Sequence, residues 1–173
     1  AAAADEAGDA EAPPAYANED ASEQRRGVRD ISFRLSRGEM LVITGRVGAG
    51  KTTLVRCLLG LLPPQSGAIR WNGQVVTDPP TFLRPPRCAY TPQVPRLYSE
   101  SLRDNILLGL DPAAVALNAA LHLAVLEPDI QRLEQGLDTL VGPRGMRLSG
   151  GQVQRVAAAR MAVRDPDLLV FDD

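Results

Sequence analysis

The segment with the clearest chemical pattern is Gly45-Arg46-Val47-Gly48-Ala49-Gly50-Lys51-Thr52, which has the spacing G-x-x-x-x-G-K-[ST] of a phosphate-binding loop. Glycines let the backbone fold tightly, so that successive N–H groups point towards phosphate oxygens. A helix that begins at the end of the loop adds its positive N-terminal end. In this pattern Lys51 reaches the β- and γ-phosphates, and the Thr52 hydroxyl binds Mg²⁺. We therefore predict a triphosphate site over residues 45–53, with Thr53 as its last member.

Lys51 is the only lysine in a chain that has 19 basic residues. The other cations are arginines, whose planar forked head group is bulkier than the compact ammonium group of lysine. We interpret this as a position with room only for a point charge on a thin stem. That interpretation favours a phosphate loop over an ordinary glycine-rich turn.

A second pattern is Leu148-Ser149-Gly150-Gly151-Gln152. Ser149 followed three residues later by Gln152 predicts a capping box at the start of a helix. Two glycines leave the first turn bare, so an anion can approach its unpaired N–H groups. Taken alone, the same pattern also fits a capped helix with no ligand.

Two further polar groups follow apolar or proline-rich segments. Asp172 and Asp173 end the apolar run 168–171, which predicts a strand, and open α/β folds place ligand groups at the carboxyl ends of strands. Asp172 is therefore a candidate ligand group at this edge of the sheet. Gln93 lies in the segment Tyr90-Thr91-Pro92-Gln93, where a surface glutamine is the alternative.

In this order, the phosphate loop, Gln93, the signature at 148–152 and the strand that ends in acid resemble the ABC ATPase family, from about Val28 to the last residue. The resemblance implies that Gln93 senses Mg²⁺ or the attacking water. The same resemblance implies that Asp172 is the Walker B aspartate, which holds Mg²⁺ through water. It also implies that two such domains meet head to tail around ATP. The signature residues Ser149, Gly151 and Gln152 would then contact the γ-phosphate of ATP bound to the partner.

The secondary-structure elements predicted before the glycine-rich loop are strands. Alternation at Ile31, Phe33 and Leu35 predicts one strand, and the apolar run 40–44 predicts a buried one. A helix is predicted from Lys51 to Leu62, ended by two prolines, and a hairpin over 68–76 that turns at Asn72-Gly73.

The middle of the chain is expected to be helical. A helix is predicted from Asp111-Pro112 to Leu126, a short one from Glu127 to Gly136, and a third from Ser149 to about Arg164. The fold class is therefore α/β, and the resemblance makes it a P-loop NTPase core of the ABC type. N-terminal antiparallel β-hairpins, an inserted α-helical subdomain at about 97–165 and a missing C-terminal part of the sheet complete the prediction.

Residues 1–24 carry seven acids and no base, and we interpret them as a disordered acidic linker before a partial nucleotide-binding domain at 25–173. Tyr16 in this segment is a candidate for stacking on adenine. Taking seven from 21 acids leaves 14 against 19 bases, a scattered excess of +5 that does not suggest nucleic-acid binding. Neither Cys57 nor Cys88 lies in a metal-binding pattern.

Segments 90–109 and 136–142 look like exporter-type ABC sequences, although Pro143 stands where exporters commonly have Glu. The expected partners are a second nucleotide-binding domain, as a homodimer or heterodimer, and the transmembrane domains of an exporter. The expected location is the cytoplasmic face of the cell membrane. The alternatives are a soluble non-transport ABC ATPase and a degenerate ATP-binding half that regulates an active partner. The only histidine, His122, precedes the signature and is not the family's switch histidine.

Asp173 departs from the family pattern, which usually has Glu at the position that polarises the attacking water. Asp is one methylene shorter, and a misplacement of about 1 Å can cost ~100-fold in rate. We predict slow hydrolysis at this site and expect Asp173→Glu to raise the ATPase rate of an assembled dimer. A steady-state phosphate-release assay that detects no increase would count against this role for Asp173.

Overall fold

The computed structural model describes residues 27–172. It divides into a unit that ends at Gly50 and a unit that begins at Lys51, and each is described by itself. The predicted linker at 1–24, Tyr16 and Asp173 lie outside the described residues.

Residues 27–50 contain turns and extended segments but no strand. The strands predicted at 31–35 and 40–44, and with them the N-terminal hairpin expected in this part of the chain, are therefore wrong here. Phe33, Met40 and Val42 are exposed, Met40 at 88%. Within the described residues of this unit neither segment has a hydrogen-bonded neighbour, and an isolated strand has no ladder to stabilise it.

The second unit opens with helix α1, Lys51–Leu58. The prediction that it continues to Leu62 is wrong, because Gly60 adopts a left-handed φ of 72° and the Leu61 N–H donates to the Arg56 carbonyl over 2.8 Å. This is a glycine C-cap, which ends the helix before the prolines. A Cβ at position 60 would lie 2.5 Å from Cδ of Pro80, so glycine is also required by space.

Strands β1 (Arg70–Trp71) and β2 (Gln74–Val75) form an antiparallel hairpin. Asn72 and Gly73 have φ values of 50° and 83°, which confirms the predicted turn. The short helix α2 (Pro79–Phe82), which sequence patterns did not predict, follows it. Its Phe82 ring meets Trp71 edge to face with centroids 5.8 Å apart.

The core of the α/β region is a parallel strand pair, β3 (Cys88–Thr91) and β4 (Leu168–Phe171), with β4 as predicted. Its buried cluster consists of Val55 on α1, Leu59 directly after that helix and Cys88 on β3, so the helix packs on the strands. Burial raises the pKa of the Cys88 thiol to about 11. Because the strands are parallel and in register, their carboxyl ends lie side by side.

Four helices build the remaining part: α3 (Leu102–Leu107), α4 (Leu117–Leu123), α5 (Glu127–Ile130) and α6 (Gly150–Ala162). They share one core, whose fully buried members include Leu102, Ile106, Leu126, Val141 and Val156. This confirms that the region is helical. No helix within residues 27–172 has the length and apolar character needed to span a membrane.

The helix predicted from Asp111 to Leu126 is interrupted. Asp111 caps as expected, because its carboxylate accepts from the Ala113 N–H over 2.9 Å, but only a 3₁₀ turn at Pro112–Ala114 follows. Val115 is then extended, with φ −130° and ψ 153°, and its side chain packs against the helical core. Similarly, the helix predicted from Glu127 to Gly136 ends at Ile130.

A buried asparagine ties the segment before α3 to α6. Asn105 is fully buried; its Oδ1 accepts from the Tyr98 N–H over 2.8 Å, and its Nδ2 donates to the carbonyls of Tyr98 and Ser101, each over 3.0 Å. The Arg160 guanidinium on α6 donates to the Asn105 carbonyl over 2.7 Å and to the Arg96 carbonyl over 3.2 Å. The Asn105 side chain thus satisfies polar groups of the turn at 98–101, and Arg160 anchors α3 and the segment at Arg96 to α6.

We expect Asn105→Ala to lower the free energy of unfolding by about 2–4 kcal/mol, because it leaves several buried backbone groups without partners. Urea denaturation measures this loss. Asn118→Ala is the matched control, since Asn118 is exposed on α4. Equal, small effects of the two substitutions would show that the buried network contributes little to stability.

Candidate functional site

Two of the predicted site residues, 120 positions apart in sequence, meet directly. The Thr52 hydroxyl donates to Oδ1 of Asp172 over 2.8 Å. Asp172 is only 8% exposed, and its own N–H donates to the Thr91 carbonyl over 3.1 Å, which extends the parallel ladder by one step. The structure thus brings together the predicted magnesium hydroxyl and the predicted magnesium carboxylate.

Local structure explains this meeting. Thr52 is the second residue of α1, and this helix packs on β3 and β4 through Val55, with Leu59 directly after the helix in the same cluster. Asp172 follows directly after the last residue of β4. The N-terminus of the helix and the carboxyl ends of the strands therefore face the same space, which is where α/β folds bind phosphate ligands.

The second oxygen of Asp172 is also occupied. The phenol of Tyr90, on β3, donates to Oδ2 over 3.3 Å. Burial raises the pKa of Tyr90, while a hydrogen bond with the Arg56 side chain opposes this shift. Sequence analysis did not select Tyr90 or Arg56, since no local pattern links them to residue 172.

The oxygen donors fit the cation that the sequence predicts. Mg²⁺ prefers hydroxyl, carboxylate, phosphate and water oxygens and is held by one or two carboxylates, with substrate phosphates completing its shell. Thr52 and Asp172 supply one hydroxyl and one carboxylate. Within residues 27–172 no group of three or more His, Cys, Asp or Glu side chains forms a metal cluster. The hydroxyl of Thr52 and the carboxylate of Asp172 are both oxygen donors of the types that Mg²⁺ prefers.

The glycine-rich loop lies at the end of the first unit. Gly48 and Gly50 have left-handed φ values of 81° and 89°, and the Ala49 N–H donates to the Arg46 carbonyl over 3.1 Å. A Cβ at position 50 would lie 2.6 Å from Cγ2 of Val28, so a larger residue is excluded both by φ and by space. Val47 is exposed, whereas Lys51 is partly buried and opens α1 in the second unit.

Gln93 lies two residues beyond β3 and is exposed. The side chain of Gln154 on α6 donates to its carbonyl over 3.1 Å. Beside this loop is a cavity of about 340 Å³ whose lining includes Pro92, Val94 and Met161. No hydrogen bond recorded among the described residues joins the Gln93 side chain to Thr52 or Asp172, so its predicted role remains a prediction.

The signature residues begin α6 as the capping-box pattern predicts. The Gln152 N–H donates to the Ser149 hydroxyl over 3.3 Å, and the Ser149 N–H donates to Oε1 of Gln152 over 2.8 Å. Gly150 and Gly151 are exposed, so the first turn of the helix is open to solvent. The other end of the Gln152 amide donates to Oδ1 of Asp129 over 3.2 Å, which turns this side chain back towards α5.

Asp129, which was not predicted from the sequence, accepts hydrogen bonds from both Gln152 and Arg155 on α6. It is 7% exposed and accepts from Nε of Arg155 over 2.6 Å as well as from Gln152. The hydrogen bond from Arg155 lowers the pKa of Asp129, against the opposing effect of burial. Asp129 lies 23 residues before Gln152, and no helix or strand periodicity in the sequence predicts a contact over that separation. The two side chains meet because α5 and α6 lie side by side in the folded chain.

Because folding lowers the pKa of Asp129, its ionised form stabilises the native state above the ordinary pKa of an aspartate. That contribution disappears as the pH falls through the lowered pKa. We expect Asp129→Asn to cost about 1–3 kcal/mol of unfolding free energy at neutral pH, and progressively less as the pH falls below the ordinary pKa of an aspartate. Urea denaturation across this range is the test, with Asp138→Asn in the exposed Arg103 pair as control. A pH-independent loss for Asp129→Asn would contradict the assignment.

Comparison with known proteins gives a consistent result. The family model described as ABC transporter matches residues 28–173. The chain is 37% identical over 147 residues to a probable multidrug resistance ABC transporter ATP-binding/permease protein of Bacillus subtilis, covering 84% of this chain and 25% of that protein. It is 39% identical over 151 residues to the ATP-dependent lipid A-core flippase of Burkholderia pseudomallei, covering 86% and 25%. The chain thus spans about a quarter of these relatives.

A solved structure supports the same assignment at the level of the fold. A bacterial Atm1-family ABC exporter with ATP bound aligns with a TM-score of 0.63 and 38% identity, over 73% of this chain and 22% of that one. The identity is high enough, and the family match long enough, to decide the family as well as the fold. The chain therefore belongs to the ABC transporter family, and it has the P-loop ATPase fold of the exporter-type members.

Proposed function

We propose that the chain binds MgATP at residues 45–53 and Asp172 and, paired with a second nucleotide-binding domain, couples ATP hydrolysis to export by a membrane transporter. The observation that carries the proposal is the 2.8 Å hydrogen bond from Thr52 to Asp172. A threonine hydroxyl that donates its proton to a carboxylate has its lone pairs available for a cation. This is the geometry that a magnesium–nucleotide site needs.

The chain's own residues then have separate tasks. The loop amides at 45–50 and the ammonium group of Lys51 hold the triphosphate tail and offset its charge. Asp172 holds the Thr52 hydroxyl in place, and Mg²⁺, when bound, neutralises negative charge on the β- and γ-phosphates. Gln93 and Asp173 would orient the attacking water.

A partner domain follows from the exposed first turn of α6. Gly150 and Gly151 carry no side chain that would cover the N–H groups there, and the 13-residue helix directs its positive end outwards. We propose that this turn, with Ser149 and Gln152, closes over the γ-phosphate of ATP held by the second domain. The Bacillus subtilis relative is named an ATP-binding/permease protein, which supports transmembrane partner domains and a location at the cytoplasmic face of the membrane.

One sequence observation favours a second candidate. Asp173 stands where the family usually has Glu, which suits a degenerate half that binds ATP and regulates an active partner. Both candidates require MgATP binding. They differ in turnover, since a regulatory half would gain ATP affinity without gaining hydrolysis when it is mixed with its partner.

We expect Lys51→Ala to weaken MgATP binding by about 10- to 100-fold, the size of one or two charge-assisted hydrogen bonds. Titration with a fluorescent ATP analogue measures the affinity. Arg84→Ala removes an exposed cation from a loop that none of the site residues occupies, and it should leave the affinity unchanged. An unchanged affinity for Lys51→Ala would overturn the proposed function.

A further inference from the structure

We propose that Tyr90 is a positioning residue for the magnesium site, because its phenol fixes the orientation of the Asp172 carboxylate that holds Thr52. This inference rests on the proposed function. Tyr90 lies outside the motifs from which the site was predicted. It is the third residue before Gln93, and the inference assigns it a role in cation binding.

The argument begins with the two oxygens of Asp172. Thr52 donates to Oδ1 over 2.8 Å, and Tyr90 donates to Oδ2 over 3.3 Å. A carboxylate that is held through one oxygen can rotate about its Cβ–Cγ bond, because this terminal torsion is broad. Donors on both oxygens restrict that rotation. The direction in which the Thr52 lone pairs point then depends on both hydrogen bonds.

Burial strengthens this effect. Asp172 is 8% exposed, and a carboxylate with so little access to water relies on protein donors. Removing the phenol hydroxyl would leave Oδ2 with one donor fewer. The carboxylate would then turn towards whatever donor remains, and Thr52 would turn with it.

Tyr90 is itself held from two sides. Its backbone is paired with Val170 in the parallel ladder, and its ring packs against the buried cluster of Val55, Leu59 and Cys88. The Arg56 side chain, from the helix that carries Thr52, opposes the rise in the pKa of its phenol. The hydroxyl group contacts the carboxylate, while the ring contributes packing. The two contributions can be separated by substitution with phenylalanine.

The test compares the wild-type chain with Tyr90→Phe, which keeps the ring and removes the hydroxyl. Binding of TNP-ATP is titrated once in EDTA and once in excess Mg²⁺, and the Mg²⁺ concentration that gives half of the fluorescence change is measured. We expect this concentration to rise about 5- to 10-fold, the net contribution of one ordinary hydrogen bond, with the affinity in EDTA unchanged. Tyr98→Phe, on an exposed tyrosine, is the matched control.

The path through Asp172 is tested in the Asp172→Asn background. If Tyr90 acts through that carboxylate, adding Tyr90→Phe there should cause no further change in the Mg²⁺ midpoint. An unchanged Mg²⁺ midpoint for Tyr90→Phe, or an equal loss in EDTA and in Mg²⁺, would overturn the positioning role and leave the proposed function standing. Failure of the wild-type chain to bind TNP-ATP under either condition would instead overturn the proposed function itself.

Discussion

The hydrogen bond between Thr52 and Asp172 is the interaction on which the rest of the site depends. It joins the first turn of α1 to the end of β4, and it exists because α1 packs on a parallel strand pair through a small buried cluster. Parallel pairing in register then sets the carboxyl ends of β3 and β4 beside that first turn. Oxygen ligands, a helix N-terminus and a partly buried lysine at its first position are concentrated at one end of the second unit.

The helical region is connected to the segment after β3 by polar contacts rather than by apolar packing alone. Gln154 holds the Gln93 carbonyl, and Arg160 holds the carbonyls of Arg96 and Asn105. Both donors lie on α6, whose first turn is the signature. A displacement of α6 would therefore have to carry the 93–105 segment with it or break these bonds, and each break would expose an unpaired backbone oxygen. This is a physical route by which events at the signature and near Gln93 could influence one another.

Sequence alone predicted the features that depend on a few neighbouring residues. The Asn72-Gly73 turn, the Asp111 cap, the capping box of Ser149 and Gln152, and the strand at 168–171 each follow from local backbone chemistry, and the structure contains them. The identification of the family followed from motifs whose order and spacing are specific. The apolar runs at 31–35 and 40–44 did not become strands, because strand formation depends on a neighbour that an apolar pattern does not specify.

The hydrogen-bond partners of buried polar groups could not be predicted from the sequence for the same reason. Asp129, Asn105 and Tyr90 meet Gln152, Arg160 and Asp172 across separations of 23, 55 and 82 residues, and no periodicity records such a meeting. The end of α1 was missed differently. Pro63 and Pro64 are strong stop signals, but the glycine at position 60 ends the helix before they are reached.

The most direct measurement of the central claim is a crystal structure of the chain with Mg²⁺ and a non-hydrolysable ATP analogue. We expect the metal about 2.1 Å from Oγ1 of Thr52 and the triphosphate against residues 45–53. Asp172 should lie within hydrogen-bond reach of the Thr52 hydroxyl or of a metal-bound water. A metal bound elsewhere, or a nucleotide that leaves Lys51 and Thr52 without contact, would contradict the central claim.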